Sequence, residues 1–385
     1  MDRVKAILKK NTMLFALFFI MILFSILTNG TLLVPQNITN LILQNGYVVV
    51  LAIGMLLCIL TGGNIDLSVG SIVALIGAIA GTLIVNMKVN VGVSIIICLL
   101  TGIIIGVCQG YFIAYLRIPA FIVTLAGMLL WRGAALMILN GLTITPFPDN
   151  YLNIFNRYLP DIFEGKFHVL TLIIGIVASV IYLMVQIINQ RRLRKHGYET
   201  ENKIYLIARI VLIICAIMAF AYSLAQHKGI PMVLIILAVI IFIYGYFTSN
   251  TVPGRYLYAM GGNEKAAKLS GVNTNLVLFL TYVNMAFLSA VAALICVARF
   301  NSAAPSAGQN YEMDAIAACY IGGASAYGGI GTVTGVVIGA IFMGIINNGM
   351  SIMGINTDLQ KVVKGLVLLI AVTFDVISKK NSKLN

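Results

Sequence analysis

The sequence contains 385 residues, of which 60% are hydrophobic and only 10% are charged, and its mean hydropathy is +1.01. A soluble globular domain carries about 25% charged residues, so this composition excludes that class. The formal net charge of +13 favours cytoplasmic loops rich in Lys and Arg over nucleic-acid binding.

Long apolar runs follow one another along the chain, and a run of about 18 residues or more predicts a bilayer-spanning helix. We therefore predict an all-α, polytopic helical bundle with about 10–12 membrane segments. The short, Gly-rich segment 314–328 and the junction at 60–70 are alternatively broken or re-entrant pieces. The predicted segments are 11–29, 38–60, 69–86, 91–116, 120–139, 168–188, 204–224, 230–247, 275–297, 314–328, 331–352 and 360–378.

The basic residues predict the orientation of these segments. Lys and Arg are concentrated near the N-terminus, in the 191–203 loop and near the C-terminus. Cytoplasmic loops carry an excess of these residues, so both termini are predicted to be cytoplasmic. No convincing cleavage site follows the first apolar stretch, which we interpret as the first span and its own insertion signal.

Motifs for chemistry are missing from the sequence. It contains no phosphate-binding loop of the G-x-x-x-x-G-K-[ST] type and no H-E-x-x-H pattern. The six cysteines fall in apolar segments without the spacing of a disulfide framework or a zinc site. We therefore predict no catalytic residue, no metal site and no cofactor bound by this chain.

Few acidic residues lie near the predicted spans, and those that do are Asp66, Asp314 and Asp375. We interpret all three as residues at the ends of spans. Ion-coupled transporters and pumps commonly place carboxylates in the middle of the membrane. The sequence has no obvious device of this kind, which favours energy supplied by another subunit.

A polar, Gly-rich island at 248–274 separates two long apolar runs and contains the pattern E-x-A-A-x-x-x-G. We predict a short helix that starts at Gly262 or Asn263 and ends at Gly271 in a left-handed cap. Its small residues are expected to form a smooth surface against which a separate, energy-supplying subunit could press. The predicted coupling residues are Gly262, Asn263, Glu264, Ala266, Ala267, Leu269 and Gly271.

Two other Gly-rich stretches are GGNIDLSVGS at 62–71 and IGGASAYGGIGTVTG at 321–335. Each is either a turn that allows close packing or a gate lining a translocation path. Ser68 is expected to cap the helix that begins near Val69. Arg132 lies inside a predicted span, where it either pairs internally, reaches the headgroups or lines the path. The candidate path or gate residues are Asn64, Asp66, Ser68, Gln109, Thr124, Arg132, Asn140, Gly322, Gly323 and Asn347.

These motifs carry a family resemblance that covers most of the chain. The sequence resembles the membrane permease subunits of bacterial ATP-binding-cassette importers for monosaccharides, in the ribose, xylose and galactose branch. An added basic loop and hydrophobic segments at about 189–229 are similar to the longer xylose or multiple-sugar type. The segments that carry the resemblance are 62–71, 117–141, 254–273, 298–340 and 347–372.

The resemblance implies a single permease domain over 1–385 in the cytoplasmic membrane, with an ATPase-coupling segment at about 254–273. It implies a cytoplasmic ATPase that holds ATP and Mg, an extracytoplasmic sugar-binding protein, a second copy of the permease and membrane lipid as partners. Nucleic acid is not expected as a partner. The alternatives are a nucleoside or autoinducer importer of the same superfamily, an ion-coupled secondary transporter and an intramembrane enzyme.

Overall fold

A computed structural model describes residues 12–163, 165, 167–197 and 203–382. The described residues form α-helices, two short stretches of 3-10 and π-helix, and no β-strand beyond isolated bridges. The helices are α1 Thr12–Leu27, α2 Pro35–Leu60, α3 Val69–Gly81, α4 Val91–Ala114, α5 Ala120–Leu139, α6 Asp149–Phe155, α7 Val169–Lys195, α8 Lys203–Ala225, α9 Met232–Asn250, α10 Val252–Gly262, α11 Glu264–Leu269, α12 Thr274–Phe300, α13 Tyr311–Ile321, α14 Val333–Ile352 and α15 Thr357–Ser382.

Within the described part of the chain, nine helices are long and apolar enough to cross a membrane. They are α2, α3 with its π-helical extension Thr82–Asn86, α4, α5, α7, α8, α9, α12 and α14. The predicted all-α, polytopic class is confirmed. The cytoplasmic location of the termini stays a prediction.

Glycines leave the helical conformation in one predicted segment and in one junction between predicted segments. The segment predicted at 314–328 stops being helical at Ile321, because Gly322 ends α13 and Gly323 has a φ of +86°. Helix α13 has only 11 residues, which are too few to span a bilayer. The junction at 60–70 is also non-helical, since Gly62 and Gly63 adopt φ values of +116° and +76°.

The chain divides into two compact units, each with its own packing. The smaller unit comprises Leu33–Asn40 and Arg157–Met232, and its helices α7 and α8 pack against each other. Asp161 accepts hydrogen bonds from the N–H groups of Val169 (2.8 Å) and Leu170 (3.3 Å), so it caps the start of α7. The predicted addition at 189–229 falls in this unit, although 198–202 lies outside the described residues. The single permease domain stays a prediction.

The larger unit comprises Met1–Leu32, Leu41–Asn156 and Val233–Asn385. Helices α2, α3 and α12 bury most of their side chains, whereas α4, α5 and α9 carry broad exposed apolar faces. Gly102, Gly106 and Gly110 form a stripe at every fourth residue of α4, and this stripe faces α12. Small residues with this spacing let two helix backbones approach closely in a membrane. The stripe explains why α4 packs along α12.

We expect Gly106→Ala to destabilise this contact. An added Cβ would lie 2.6 Å from the Cα of Val283, which is backbone and cannot rotate away. The free energy of unfolding should fall by about 1–3 kcal/mol, the usual cost of overpacking. Gly245→Ala in α9 is the control, because no other atom lies within 4 Å of the added methyl group. Equal thermal unfolding midpoints for the two variants in detergent would contradict the packing.

Candidate functional site

The polar island folds into two short helices, α10 and α11, joined at Asn263. Asn263 is extended and its Oδ1 accepts a hydrogen bond from the N–H of Ala266 (3.0 Å), so it caps the start of α11. Gly271 has a φ of +87°, and its N–H donates to the carbonyl of Lys268 (3.0 Å). The predicted helix start at Asn263 and the left-handed end at Gly271 are confirmed.

The predicted coupling residues do not share one face of α11. Leu269 is 89% exposed, which is unusual for a large apolar side chain, while Ala267 is only 6% exposed. Ala267 therefore faces the rest of the protein rather than a partner. The residues that remain exposed with Leu269 are Gly262, Asn263, Ala266 and Gly271.

Glu264 turns toward the connection between α4 and α5. Its Oε1 accepts a hydrogen bond from Arg117 NH1 at 2.7 Å, and Arg117 NH2 also donates to Thr274 Oγ1 (3.3 Å) and to Asn275 Oδ1. Both charged groups are partly exposed, so the pair contributes about 0–1 kcal/mol. Its main effect is to fix where α11 lies. Sequence analysis missed this role of Arg117, which is visible only once the chain is folded.

Gly261, near the end of α10, touches the end of α2 and the Gly-rich stretch at 321–335. A Cβ at Gly261 would clash with the carbonyl oxygen of Leu60 and with the backbone of Gly329. The N–H of Gly329 donates to that same carbonyl oxygen (3.1 Å). One turn earlier on α10, Tyr258 Oη donates to the carbonyl of Gly331 (2.9 Å). The end of α2, the loop before α14 and the island therefore meet at one point.

A buried polar cluster begins immediately after this junction. Asp66 Oδ1 accepts hydrogen bonds from the N–H (2.8 Å) and Oγ (2.6 Å) of Ser68, and Gln109 Nε2 on α4 donates to Ser68 Oγ (2.9 Å). Helix α3 does begin at Val69, but the predicted side-chain cap by Ser68 is wrong, because its hydroxyl is bound to Asp66 instead.

Helix α5 forms the other wall of the cluster. Gly127 leaves room for the Gln109 amide, and Trp131 Nε1 would lie 3.1 Å from a Cβ at Gly127. Thr124 is buried one turn before Gly127. Asp66 Oδ2 and Trp131 Nε1 are shielded from solvent and have no hydrogen-bond partner among the described residues. They are an acceptor and a donor that a hydroxyl group or a water molecule could use. Sequence analysis did not select Trp131.

Asp66 lies in the connection between α2 and α3, outside both spans, yet it is completely buried. Burial raises the pKa of Asp66 to about 6, although the hydrogen bonds from Ser68 act in the opposite direction. Asp66 thus lies between the ends of two spans, as predicted, but it is buried rather than exposed to solvent.

Asp314 is also buried rather than at a solvated end. It forms an ion pair with Lys364 of α15 at 2.9 Å, and the side chains are 7% and 23% exposed. Each charge in this pair is compensated by the other. The side chain of Asp375 lies outside the described residues.

The remaining path candidates lie elsewhere. Arg132 NH1 donates to the carbonyls of Ala307 (2.5 Å) and Pro305 (3.3 Å), so it pairs internally with backbone. Gly322 permits close contact between α13 and α14, where a Cβ would approach the carbonyl oxygen of Gly335 to 2.5 Å. In the described part of the chain, no hydrogen bond joins the cluster to Asn64, Asn140, Gly323 or Asn347.

Comparison with known proteins identifies the family to which the chain belongs. Residues 37–372 match the family described as "Branched-chain amino acid transport system / permease component". The chain belongs to this permease family. With nine candidate spans among its described residues, the permease is a multi-pass protein of the cytoplasmic membrane.

Several curated relatives cover almost the whole permease. It is 38% identical over 368 residues to the xylose transport system permease protein XylH of Haemophilus influenzae, with 96% of each chain covered. It is 35% identical over 370 residues to XylH of Escherichia coli K12, covering 96% of the permease and 92% of the relative. It is 33% identical over 341 residues to the ribose import permease protein RbsC of Escherichia coli K12, covering 88% and 85%. No solved structure matches significantly. The resemblance to this branch is confirmed.

We expect Gly261→Ala to loosen the junction between the end of α2, the loop before α14 and the island. The added methyl group would collide with the backbone of Leu60 and Gly329, so one of these segments must shift. The amide of Gly329 should then exchange with deuterium faster than in the wild-type protein, as measured by hydrogen–deuterium exchange. Gly262→Ala is the matched control, since open space surrounds that position. Unchanged exchange at residues 326–331 in Gly261→Ala would show that the junction tolerates separation.

Asp66 should make stability depend on pH. The folded permease binds this proton near pH 6, whereas the unfolded chain binds it near the ordinary value of 3.8. The free energy of unfolding should therefore rise as the pH falls from about 7 to about 4, by on the order of 3 kcal/mol. Asp66→Asn should remove this contribution and make the rise smaller than in wild type, and the exposed Asp358→Asn should keep the full rise. Thermal unfolding in detergent from pH 4.5 to 7.5 measures the slope, and parallel curves for wild type and Asp66→Asn would refute the assignment.

Proposed function

We propose that this chain is the channel-forming permease subunit of an ATP-driven importer that moves a monosaccharide of the xylose or ribose type across the cytoplasmic membrane. The observation that carries the proposal is the near-complete coverage by relatives named as xylose and ribose permeases. The chain itself catalyses no reaction, and ATP and Mg are bound by a partner subunit. A homodimer of the permease, surrounded by lipid, encloses the path.

The exposed face of α11 is the proposed docking surface for the cytoplasmic ATPase. Leu269, the last residue of α11, supplies an apolar anchor, and Ala266 and Gly271 leave space for a partner's surface beside it. Lys265 and Lys268 are also exposed on α11, and their charges would be complementary to acidic residues at the rim of the partner's surface. An extracytoplasmic sugar-binding protein delivers the substrate on the opposite side.

The contact at Gly261 supports a mechanical route from this surface to the path. When the ATPase closes, it displaces α11 together with α10. Because Gly261 and Tyr258 touch backbone on both sides, α10 cannot move without moving the end of α2 or the 326–331 loop. The end of α2 leads directly to Asp66 and the start of α3. The motion therefore reaches the polar cluster through the main chain.

The polar cluster is the proposed point of contact with the passing sugar. Ser68, Gln109 and Thr124 supply neutral hydroxyl and amide groups, and Trp131 supplies an indole N–H. With the Asp66 carboxylate as the single charged group beside them, these neutral groups form hydrogen bonds with sugar hydroxyls without the strong attraction that several charges would exert. Selection among sugars then rests with the delivery protein.

The test is uptake by the permease reconstituted in liposomes with its ATPase and binding protein, using labelled xylose, ribose, galactose and a nucleoside. We expect sugar uptake that requires ATP. Leu269→Glu should lower this uptake about 30-fold, the equivalent of losing one interface hot spot of about 2 kcal/mol. The control is Leu193→Glu, an exposed leucine of α7 distant in sequence from the island.

Each other outcome would change a different part of the proposal. Uptake that ignores ATP and follows an ion gradient would identify a secondary transporter. Uptake of the nucleoside but of none of the sugars would leave the ATP-driven mechanism in place and change the substrate class. Full activity in Leu269→Glu would remove α11 as the docking surface while leaving the importer intact.

A further inference from the structure

The C-terminal end of α7 carries a dense cluster of basic residues. The exposed members of this cluster are Arg191, Arg192, Arg194 and Lys195. Within the described part of the chain, none of them forms an ion pair with an acidic residue. Glu199 and Glu201 follow outside the described residues, and with them the stretch 191–203 still contains five basic and two acidic residues. The end of α7 therefore keeps a net positive charge.

These charges lie where α7 leaves the hydrocarbon of the membrane. The helix runs from Val169 to Lys195 and is long and apolar enough to cross a bilayer. A hydrocarbon core about 30 Å thick takes up about 20 residues of helix. Counted from the start of α7, the hydrocarbon ends close to Ile188. The basic residues begin about one turn later, at the level of the lipid head groups.

One face of α7 is covered by α8. A Cβ at Gly175 would approach the Cβ of Ala221 to 2.5 Å. Near the other end of the pair, Gln186 Oε1 accepts a hydrogen bond from Arg209 NH2 (3.2 Å). Gly175 and Gln186 are separated by about three helical turns and so lie on the same side of α7. This side is occupied by protein.

The opposite face of α7 is an exposed apolar ridge. Its members follow one another at intervals of three or four residues, and they are 50–59% exposed: Val177, Ile181, Met184 and Ile188. Positions two residues apart on a helix differ by about 200°, so the ridge points away from Gly175 and Gln186. Arg191 and Lys195 continue the same spacing. Both charges therefore lie in line with the ridge, on the same face of α7.

The chemistry of an anionic phospholipid matches this arrangement. In the bilayer the ridge faces acyl chains, because hydrocarbon surrounds the exposed part of a span. Arg191 and Lys195 are four residues apart, and like charges at this spacing repel each other. Phosphate oxygens placed between them relieve that repulsion, and a guanidinium group binds such oxygens in a bidentate manner. A zwitterionic lipid offers less, since its own cationic group opposes the attraction.

We propose that the ridge of α7 binds an anionic phospholipid, with an acyl chain along the ridge and the phosphate between Arg191 and Lys195. Positive charge at this end of α7 also favours one orientation of the helix in the membrane. That role requires only the charge, whereas the lipid site also requires the charges to lie in line with the exposed apolar side chains. The bound lipid holds the end of α7 at a fixed depth.

The test uses the full chain in phosphatidylcholine vesicles with a trace of a lipid that carries a photoreactive diazirine on its acyl chain. The probe is either phosphatidylglycerol or phosphatidylcholine, and mass spectrometry compares labelling of the ridge with labelling of the exposed Leu129 and Leu130 on α5. Two basic residues should give phosphatidylglycerol a preference of about 25-fold on the ridge, and labelling of α5 should be nearly equal for both probes. Salt at about 0.5 M should weaken the preference.

Charge variants test the position of the phosphate. Arg191→Gln and Lys195→Gln should each lower the preference for phosphatidylglycerol about fivefold. Arg191→Lys combined with Lys195→Arg keeps both charges and should preserve the preference. The matched control is Lys265→Gln combined with Lys268→Gln, which removes two exposed lysines one turn apart on α11 and should leave the labelling of α7 unchanged.

Three outcomes would overturn the proposal. Equal labelling of the ridge by both probes would leave the basic residues with a role in orientation alone. An unchanged preference in the double variant Arg191→Gln, Lys195→Gln would remove the phosphate from between these residues. Disulfide cross-linking between two copies through Ile188→Cys, absent from the wild type and accompanied by loss of lipid labelling, would assign the ridge to a second permease. The salt dependence tests the wild-type chain itself, so the result does not depend on the folding of any variant.

Discussion

The larger unit depends on one backbone contact, in which Gly261 meets the carbonyl oxygen of Leu60 and the backbone of Gly329. No side chain fits between these segments, so no flexible group can absorb a displacement. The hydrogen bond from the Gly329 N–H to the Leu60 carbonyl closes the same junction. Because main-chain atoms form this contact on every side, a displacement of one segment must move the others. Packed side chains could absorb the same displacement by changing rotamer. Two of the three segments that meet here lie next to non-helical turns, where the chain has the freedom to respond.

Two buried charged groups of this unit are compensated inside the protein, as a low-dielectric environment requires. Lys364 neutralises Asp314, and Arg132 satisfies its donors on loop carbonyls. Asp66 differs from these two groups, because one of its oxygens is satisfied by Ser68 and the other has no partner in the described residues. The carboxylate adjoining the rigid junction is thus also the one whose surroundings are incomplete. This combination favours a role in contact with a transient ligand over a purely structural one.

The sequence was sufficient for features set by local chemistry. Hydropathy predicted most of the spans, and the short polar pattern predicted a helix with a cap at Asn263 and an end at Gly271. It could not predict contacts made after folding, such as the pairing of Arg117 with Glu264, which are 147 residues apart. The inward orientation of Ala267 also escaped prediction, because a six-residue helix is too short for its apolar pattern to define a face. The capping role predicted for Ser68 was wrong for a different reason. Its hydroxyl group donates to the buried carboxylate of Asp66, and this competition is visible only in the folded chain.

Helix α10 is enclosed by three different environments, and this explains its composition. Toward the protein it presents Gly261, because only a residue without a side chain permits the contact with Leu60 and Gly329. Toward the spans it presents Leu257, which lines an apolar groove that α10 shares with α4, α9 and α12. Toward the boundary of the membrane it presents Arg255, whose charge keeps the helix at the surface of the bilayer. In the proposed coupling, the backbone contacts of Gly261 therefore connect a push on α11 to the end of α2 and to the 326–331 loop.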